Sequence, residues 1–161
     1  MTRNTMIALA AGGAAALLAG AFVFQLLGYA PCPMCLWQRW PHAAAIIIGI
    51  LAVAIPGRFM PALGAIAAAA TGAIGVYHTG VERDWWEGPA SCSGGNGLDG
   101  LSGADLLAVE GPAIVMCDQV AWEFLSLSMA SWNALVSFAL MAVWVTALRL
   151  SAGSKATGSS R

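Results

Sequence analysis

The sequence predicts an all-α fold, an integral membrane bundle of four helices, and two observations carry that prediction. Of the 161 residues, 59% are apolar and only 9% are charged, whereas a soluble domain carries about 25% charged residues. The chain also holds four long stretches free of charged residues, each close to the roughly 20 residues that cross a bilayer as a helix. Because backbone amides in hydrocarbon must pair within their own segment, these stretches are predicted to be helices.

The predicted membrane spans follow the four uncharged stretches, at residues 6–27, 40–57, 59–81 and 124–148. They make one membrane domain, residues 1–150, and the Gly- and Ser-containing tail at residues 151–161 is predicted to be disordered. Only a short segment from Pro56 to Pro61 separates the second and third spans, which predicts an antiparallel helix hairpin. The apolar run after Arg3 is also similar to a signal peptide, but it is longer than a usual signal h-region.

The basic residues predict which side of the membrane each loop faces. Five of the seven Lys and Arg residues fall on the side of the two termini, and positive charge favours the cytoplasm. Both termini are therefore predicted to be cytoplasmic, with two external loops, one after the first span and one after the third. A net charge of −1 without a basic patch argues against nucleic acid as a partner.

The second external loop holds all eight acidic residues, between Glu82 and Glu123. Within this loop, residues 98–110 carry apolar side chains at roughly helical spacing, but they are too few and too charged to span a membrane. We expect a short helix that lies in the membrane interface. The alternative is an irregular loop packed on the bundle.

The four cysteines all lie in the predicted external loops, Cys32 and Cys35 in the first, Cys92 and Cys117 in the second. An even number of cysteines on the external side indicates disulfide chemistry. Cys32 and Cys35 form a C-x-x-C motif, whose close spacing predicts a strained, easily reduced disulfide. The second pair, taken alone, is equally typical of a passive disulfide that closes a long loop. No metal is predicted, because that pair lacks the clustering of zinc or iron–sulfur sites.

Two ionisable residues at span ends are candidates to act with the C-x-x-C motif. Arg39 follows Cys35 by four residues, so a helix that begins near Cys35 places the guanidinium on the same face as the sulfur, where both stabilise a thiolate. The alternative for Arg39 is an interfacial anchor. His78 is predicted at the external end of the third span, where it can deliver protons or simply form an interfacial hydrogen bond. His42 is assigned no role.

Two longer motifs carry a resemblance to a known family. One is C-x-x-C-x-x-Q-R, from Cys32 to Arg39; the other is C-D-x-x-x-W-x-F-L-x-L-S-M-x-x-W-N, from Cys117 to Asn133. With His78 and the loop cysteine Cys92 between them, this arrangement resembles the DsbB family of disulfide-bond-formation proteins, over roughly residues 10–150.

The resemblance implies a thiol:quinone oxidoreductase of the bacterial inner membrane, with its cysteine-bearing loops in the periplasm. Its partner would be a reduced thioredoxin-fold oxidase, similar to DsbA, and its cofactor a membrane quinone, ubiquinone or menaquinone. By family role, the partner's thiolate would attack Cys92, whose pair is Cys117. Cys32 would then exchange with Cys117, and Cys35 would face the quinone, with Arg39 and His78 beside the ring.

Two other functions fit parts of the pattern. One is a membrane structural protein whose two disulfides brace its external loops, although the strain of a C-x-x-C disulfide argues against it. The other is a thiol–quinone enzyme similar to the vitamin K epoxide reductase relatives. There the C-x-x-C motif would be expected on a later span, and its position before the second span favours the DsbB family.

Overall fold

The computed structural model describes residues 1–92 and 116–158, and it describes side-chain surroundings as far as residue 152. Four α-helices make up most of the described chain, and each is long and apolar enough to cross a membrane. Their bounds are Arg3–Leu26 for α1, Pro33–Ala54 for α2, Phe59–Glu82 for α3 and Met129–Gly158 for α4. Two short strands, Glu123–Phe124 (β1) and Leu127–Ser128 (β2), pair antiparallel just before α4. The predicted four-helix membrane fold is confirmed.

The second helix begins at Pro33, well before the predicted span of residues 40–57, and ends at Ala54. Cys32 caps its N-terminus, because the Cys32 sulfur accepts the Cys35 N–H at 3.3 Å. Pro33 suits the first helical position, where its missing N–H leaves no bond unmade. The predicted start of this span, at residue 40 just after the charged Arg39, was therefore too late in the sequence. The C-x-x-C motif lies at the start of the helix.

The fourth helix differs from the predicted span of residues 124–148 at both ends. It begins only at Met129, because the chain first turns back between β1 and β2, and Ser128 caps it by accepting the Ser131 N–H at 3.2 Å. It continues to Gly158, into the tail at residues 151–161 that is predicted to be disordered. In this part of the helix, the Ser151 hydroxyl accepts from Arg3 Nε at 2.9 Å.

The core of the bundle is built from small residues around one large ring. Trp144 of α4 is fully buried, among Ile7 of α1, Ala52 of α2 and Ala68 of α3. Gly64 lets α3 approach that ring, because a Cβ there would lie 2.5 Å from the Trp144 indole. Small residues at such crossings let membrane helices pack closely.

The short link from α2 to α3, residues 55–58, makes these helices packed neighbours, as the hairpin prediction requires. Arg3 ties this end of the bundle together, because it donates to the carbonyl oxygens of Ala52 at 2.8 Å and Ile55 at 3.2 Å. The opposite end carries the C-x-x-C motif and the hairpin before α4. The interfacial helix expected at residues 98–110 lies outside the described residues.

Candidate redox site

The structure brings the two cysteine pairs together, although they come from different loops. Cys92 and Cys117 form a disulfide with their Cα atoms 4.9 Å apart. Cys32 packs with both of them, and with Val81 of α3, in one buried cluster, and Cys35 lies against that cluster. Electrons can therefore pass between the pairs by thiol–disulfide exchange over a short path.

The sulfurs of Cys32 and Cys35 are free and lie 3.0 Å apart, with the Cys32 thiol donating to Cys35. Cys32 is buried, whereas Cys35 is partly exposed. The hydrogen bond to Cys35, followed by burial and by the charge of Cys35, raises the pKa of the Cys32 thiol far above its usual range. Cys32 therefore holds the proton of the pair, and Cys35, in the first turn of α2, offers its sulfur as the acceptor.

His78 lies on α3 with only 3% of its surface exposed, so it is buried within the bundle. Its Nε2 is 3.5 Å from Cys32 Sγ, and its Nδ1 is 3.0 Å from the Gln38 side-chain nitrogen. The Glu82 carboxylate lies one turn further along α3, 3.9 Å from His78 Nε2, and accepts a hydrogen bond from Ser128. The histidine thus stands between the C-x-x-C motif and a buried carboxyl group.

Arg39 lines the same cavity as Cys35, as their spacing on one helix predicts. Its guanidinium hydrogen bonds, however, go to α1: Nη1 donates to Gln25 Oε1 at 2.9 Å, and Nη2 to the Ala21 carbonyl oxygen at 3.5 Å. The charge also lies 4.7 Å from the centre of the Phe22 ring. Its Nε is buried and has no partner among the described residues, which leaves one donor free at the cavity.

The cavity lies between α1, α2, α3 and α4, and contains about 820 Å³ of empty space when its open mouth is included. Its wall is mostly apolar, as is usual for sites that bind small ring compounds. The polar side chains on the wall come mainly from α2 and α3: Cys35, Gln38, Arg39, His42, His78 and Glu82. A second, apolar groove between α1 and α4 adjoins it and shares Phe24 and Trp122 with it.

Four polar residues of the site were not singled out from sequence. Gln38 and His42 are buried in α2, with 7% and 4% of their surfaces exposed, and Asn133 of α4 contacts both. The sequence held one signal for these residues, namely that they are polar side chains within apolar stretches. Such side chains are costly in a membrane and usually have a function or a partner. Glu82 was counted only among the loop acids, but its position four residues after His78 on one helix indicates a neighbour.

Cys32, Cys35 and His78 are the one group in the described ranges whose donor atoms could hold a metal ion, all within 4.8 Å of one another. The Gln38 side-chain nitrogen faces His78 Nδ1, however, so Nδ1 accepts and the ring proton lies on Nε2. A metal ligand needs a lone pair at Nε2. The arrangement does not favour a metal, and the absence of one stays a prediction.

A buried disulfide packed against a C-x-x-C pair at one end of a four-helix membrane bundle defines the class: a membrane thiol–disulfide oxidoreductase. Comparison with known families agrees, since the model of the family described as Disulfide bond formation protein DsbB matches residues 3–147. The chain belongs to the DsbB family. No solved structure matches it.

Curated relatives carry the same description. The chain is 35% identical to Disulfide bond formation protein B of Xanthomonas oryzae pv. oryzae over 162 residues, which covers 91% of this chain and 87% of the relative. It is 31% identical to the protein of that name from Aromatoleum aromaticum, with 89% of each chain covered. The protein of that name from Dechloromonas aromatica is 29% identical over 73% of this chain and 74% of its own length.

Proposed function

We propose that this chain is a thiol:quinone oxidoreductase that reoxidises a periplasmic thioredoxin-fold oxidase, similar to DsbA, and passes the electrons to a membrane quinone. The observation that carries the proposal is that the cysteine cluster borders two different cavities. Cys92 lines a polar surface depression, whereas Cys32 and Cys35 line the apolar cavity. One side suits a protein thiol, and the other suits a lipid-soluble ring.

The polar depression is the proposed entry for electrons. Trp85 and Trp86 flank it with Asp84, Glu87 and Asp118, and exposed Trp side chains are common anchors in protein interfaces. The partner's thiolate attacks Cys92, a mixed disulfide forms, and Cys117 leaves as a thiolate. The Cys92 sulfur is buried, so docking must open this depression slightly.

The next exchange passes the electron pair inward. The Cys117 thiolate attacks Cys32, the Cys32–Cys35 disulfide breaks, and Cys35 leaves as a thiolate. The partner then resolves the first mixed disulfide with its second thiol, and Cys92 in turn resolves the bond between Cys117 and Cys32. Two electrons are thereby transferred, and they end on the C-x-x-C pair, with a proton on Cys32 and with Cys35 as the thiolate. The burial of Cys32 beside Cys117 supports this order.

The apolar cavity is the proposed quinone site, and its donor set fits a ring that carries carbonyl oxygens. Arg39 keeps an unpartnered Nε at the wall, and His78, whose Nε2 lies 3.5 Å from Cys32 Sγ, lines the same cavity. The adjoining groove, with Phe24, Trp122 and Trp132, suits an apolar tail. A quinone supplies the acceptor for two electrons and two protons, while Cys35 provides the electron-rich sulfur at the wall.

The proposed setting is the bacterial inner membrane, with both termini in the cytoplasm and the cysteine cluster on the periplasmic side. The positive-inside bias supports this orientation. The periplasm is kept oxidising by a DsbA–DsbB–quinone system, and a cluster that reoxidises a periplasmic partner must lie on that side.

The test is to mix the purified protein with a reduced thioredoxin-fold oxidase and a soluble quinone, and to follow quinone absorbance. We expect quinone reduction that stops when Cys35 is replaced by Ser. A matched control is Ser126→Ala, at the exposed turn before α4, which should leave the rate unchanged. Oxidase turnover without quinone reduction, or quinone reduction that survives Cys35→Ser, would contradict the proposal.

A further inference from the structure

A chain of five hydrogen bonds crosses the bundle from His42 to the C-x-x-C pair. His42 Nε2 lies 2.8 Å from Asn133 Oδ1, and Asn133 Nδ2 lies 2.6 Å from Gln38 Oε1. The Gln38 side-chain nitrogen lies 3.0 Å from His78 Nδ1. His78 Nε2 is then 3.5 Å from Cys32 Sγ, which donates to the Cys35 sulfur at 3.0 Å. These hydrogen bonds thus start on α2, pass through α4, return to α2 and reach α3 before they end at the C-x-x-C pair.

All five bonds run in the same direction. Gln38 uses its amide nitrogen to donate to the Met34 carbonyl oxygen at 3.2 Å as well as to His78, so its oxygen remains to accept from Asn133. Because an amide nitrogen has no acceptor capacity, His78 Nδ1 must be the acceptor, and the ring proton must lie on Nε2. The last donor is the Cys32 thiol, and the last acceptor is Cys35.

The starting end of the chain is anchored by Thr71, of which only 1% is exposed. Its hydroxyl donates to the Gln38 backbone carbonyl oxygen at 3.2 Å, and it accepts from Asn133 Nδ2 at the same distance. With these partners, Asn133 uses its oxygen toward His42 and its nitrogen toward Gln38. A rotated Asn133 amide would place its oxygen against Gln38 Oε1, and two acceptors would face each other in a buried site.

We propose that Gln38 and Asn133 are positioning residues that hold His78 as the Nε2–H tautomer, so that its N–H faces Cys32 Sγ. Neither amide reaches the sulfurs, and each acts through the next group in the chain. Hydrogen bonds in a chain polarise one another. The aligned donors therefore favour electron density on the last sulfur, Cys35, which borders the apolar cavity. This inference deepens the proposed function and rests on it for its use in turnover.

The experiment is ¹⁵N NMR of the full-length protein, labelled only at histidine and treated with reductant. The chain has two histidines, so the spectrum contains four ring nitrogens, and a His42→Gln variant assigns them. We expect the ¹⁵N chemical shift of His78 Nδ1 to be that of an unprotonated ring nitrogen, and the shift of Nε2 to be that of a protonated one. A protonated Nδ1 on His78 in the unaltered protein would overturn the inference, whether or not the protein reduces quinone.

Two variants test the role of the amides. In Gln38→Glu, a carboxylate oxygen replaces the donor facing Nδ1, so the His78 Nδ1 signal should move into the protonated range. In Asn133→Leu, Gln38 loses the donor that orients it. His78 should then become a mixture of tautomers, although Asn133 reaches His78 only through Gln38. An unchanged His78 spectrum in both variants would overturn the positioning role.

The matched control is Gln119→Glu, which adds the same charge at the wall of the same cavity without contacting His78 through a hydrogen bond in the described ranges. Its His78 signals should stay where they are in the unaltered protein. A second readout is the rate of quinone reduction, which should fall in Gln38→Glu while the mixed disulfide at Cys92 still forms at its normal rate. If the tautomer switches but the rate of quinone reduction stays the same, the hydrogen-bond chain has no role in quinone reduction. The proposed function would not be affected by that result.

Discussion

His78 Nε2 lies 3.5 Å from the sulfur of Cys32, the buried cysteine of the C-x-x-C motif. Cys32 in turn donates to Cys35, the cysteine that is partly exposed at the cavity. The hydrogen bonds therefore connect the histidine to the outer sulfur through the inner one. The two cysteines of the motif therefore differ in burial and in hydrogen bonding.

The difference between these cysteines predicts selective alkylation of the reduced protein. Because the pKa of the Cys32 thiol is raised, its thiolate is scarcer than that of an ordinary cysteine near pH 8, and it increases only at more alkaline pH. We expect iodoacetamide to modify Cys32 at least roughly tenfold more slowly than Cys35, since each pH unit below a pKa lowers the thiolate fraction about tenfold. Peptide mass spectrometry measures both rates.

The control for this experiment is Cys35→Ser, which removes the largest cause of the raised pKa, the hydrogen bond between the two sulfurs. Cys32 should then react faster than in the unaltered protein. Equal alkylation of Cys32 and Cys35 in the reduced protein would contradict the prediction.

The second prediction separates a redox relay from a passive disulfide. A Cys117→Ser variant leaves Cys92 as a free thiol, whose thiolate can attack the disulfide of the oxidised partner oxidase, but it lacks the neighbouring thiol that would resolve the bond formed. It should accumulate a mixed disulfide with the partner oxidase, visible as a heavier band on a non-reducing gel and lost on reduction. The band should be absent when Cys92 is also replaced. Sustained turnover of the Cys92→Ser/Cys117→Ser double variant would mean that the second pair is structural.

The third prediction concerns Arg39. Replacing it with Met removes a charged donor from the cavity wall, and hydrogen bonds to charged groups contribute about 1.5–3 kcal/mol. The KM for quinone should therefore rise roughly 10- to 100-fold, while mixed-disulfide formation at Cys92 stays intact. Arg83→Met is the matched control, because Arg83 donates to the Ser126 carbonyl oxygen at the outer surface. Unchanged quinone kinetics in Arg39→Met would favour the interfacial anchor.

The fourth prediction concerns packing at the centre of the bundle. Gly64→Ala adds a Cβ that would lie 2.5 Å from the Trp144 ring, and overpacking of this kind costs about 1–3 kcal/mol. Thermal unfolding in detergent should show the loss. Gly20→Ala is the control, since a Cβ at Gly20 meets nothing within 4 Å, and its unfolding temperature should not fall. A Gly64→Ala variant as stable as the control would show that the Trp144 ring can shift.

The fifth prediction tests the orientation in the membrane. In a variant without native cysteines, a new cysteine at Val120, which is 43% exposed between the disulfide and β1, should react with a membrane-impermeant thiol reagent in intact spheroplasts. A cysteine at Thr2 should react only after lysis. The reverse pattern would place the cysteine cluster on the cytoplasmic side and would remove the proposed partner.

Element boundaries show where sequence patterns were reliable and where they were not. Hydropathy over long windows located all four helices, because crossing a bilayer requires length and apolarity. It placed the start of α2 too late, since Arg39 interrupts the uncharged stretch although it lies inside the helix, at the wall of a cavity. It placed the start of α4 too early, because Phe124 is apolar but belongs to β1.

The sequence by itself determined the membrane class, the four helices, the cysteine motifs and the family, because these follow from composition and from spacing along the chain. Only the tertiary structure decided that His78 contacts Cys32, that Arg39 bonds to α1, and that Asn133 of α4 joins His42 and Gln38 in one series of hydrogen bonds. Gln38 and Asn133 are 95 residues apart and meet through the rotation and depth of two helices. Those quantities depend on how small residues such as Gly64 let the helices pack, which no local pattern records.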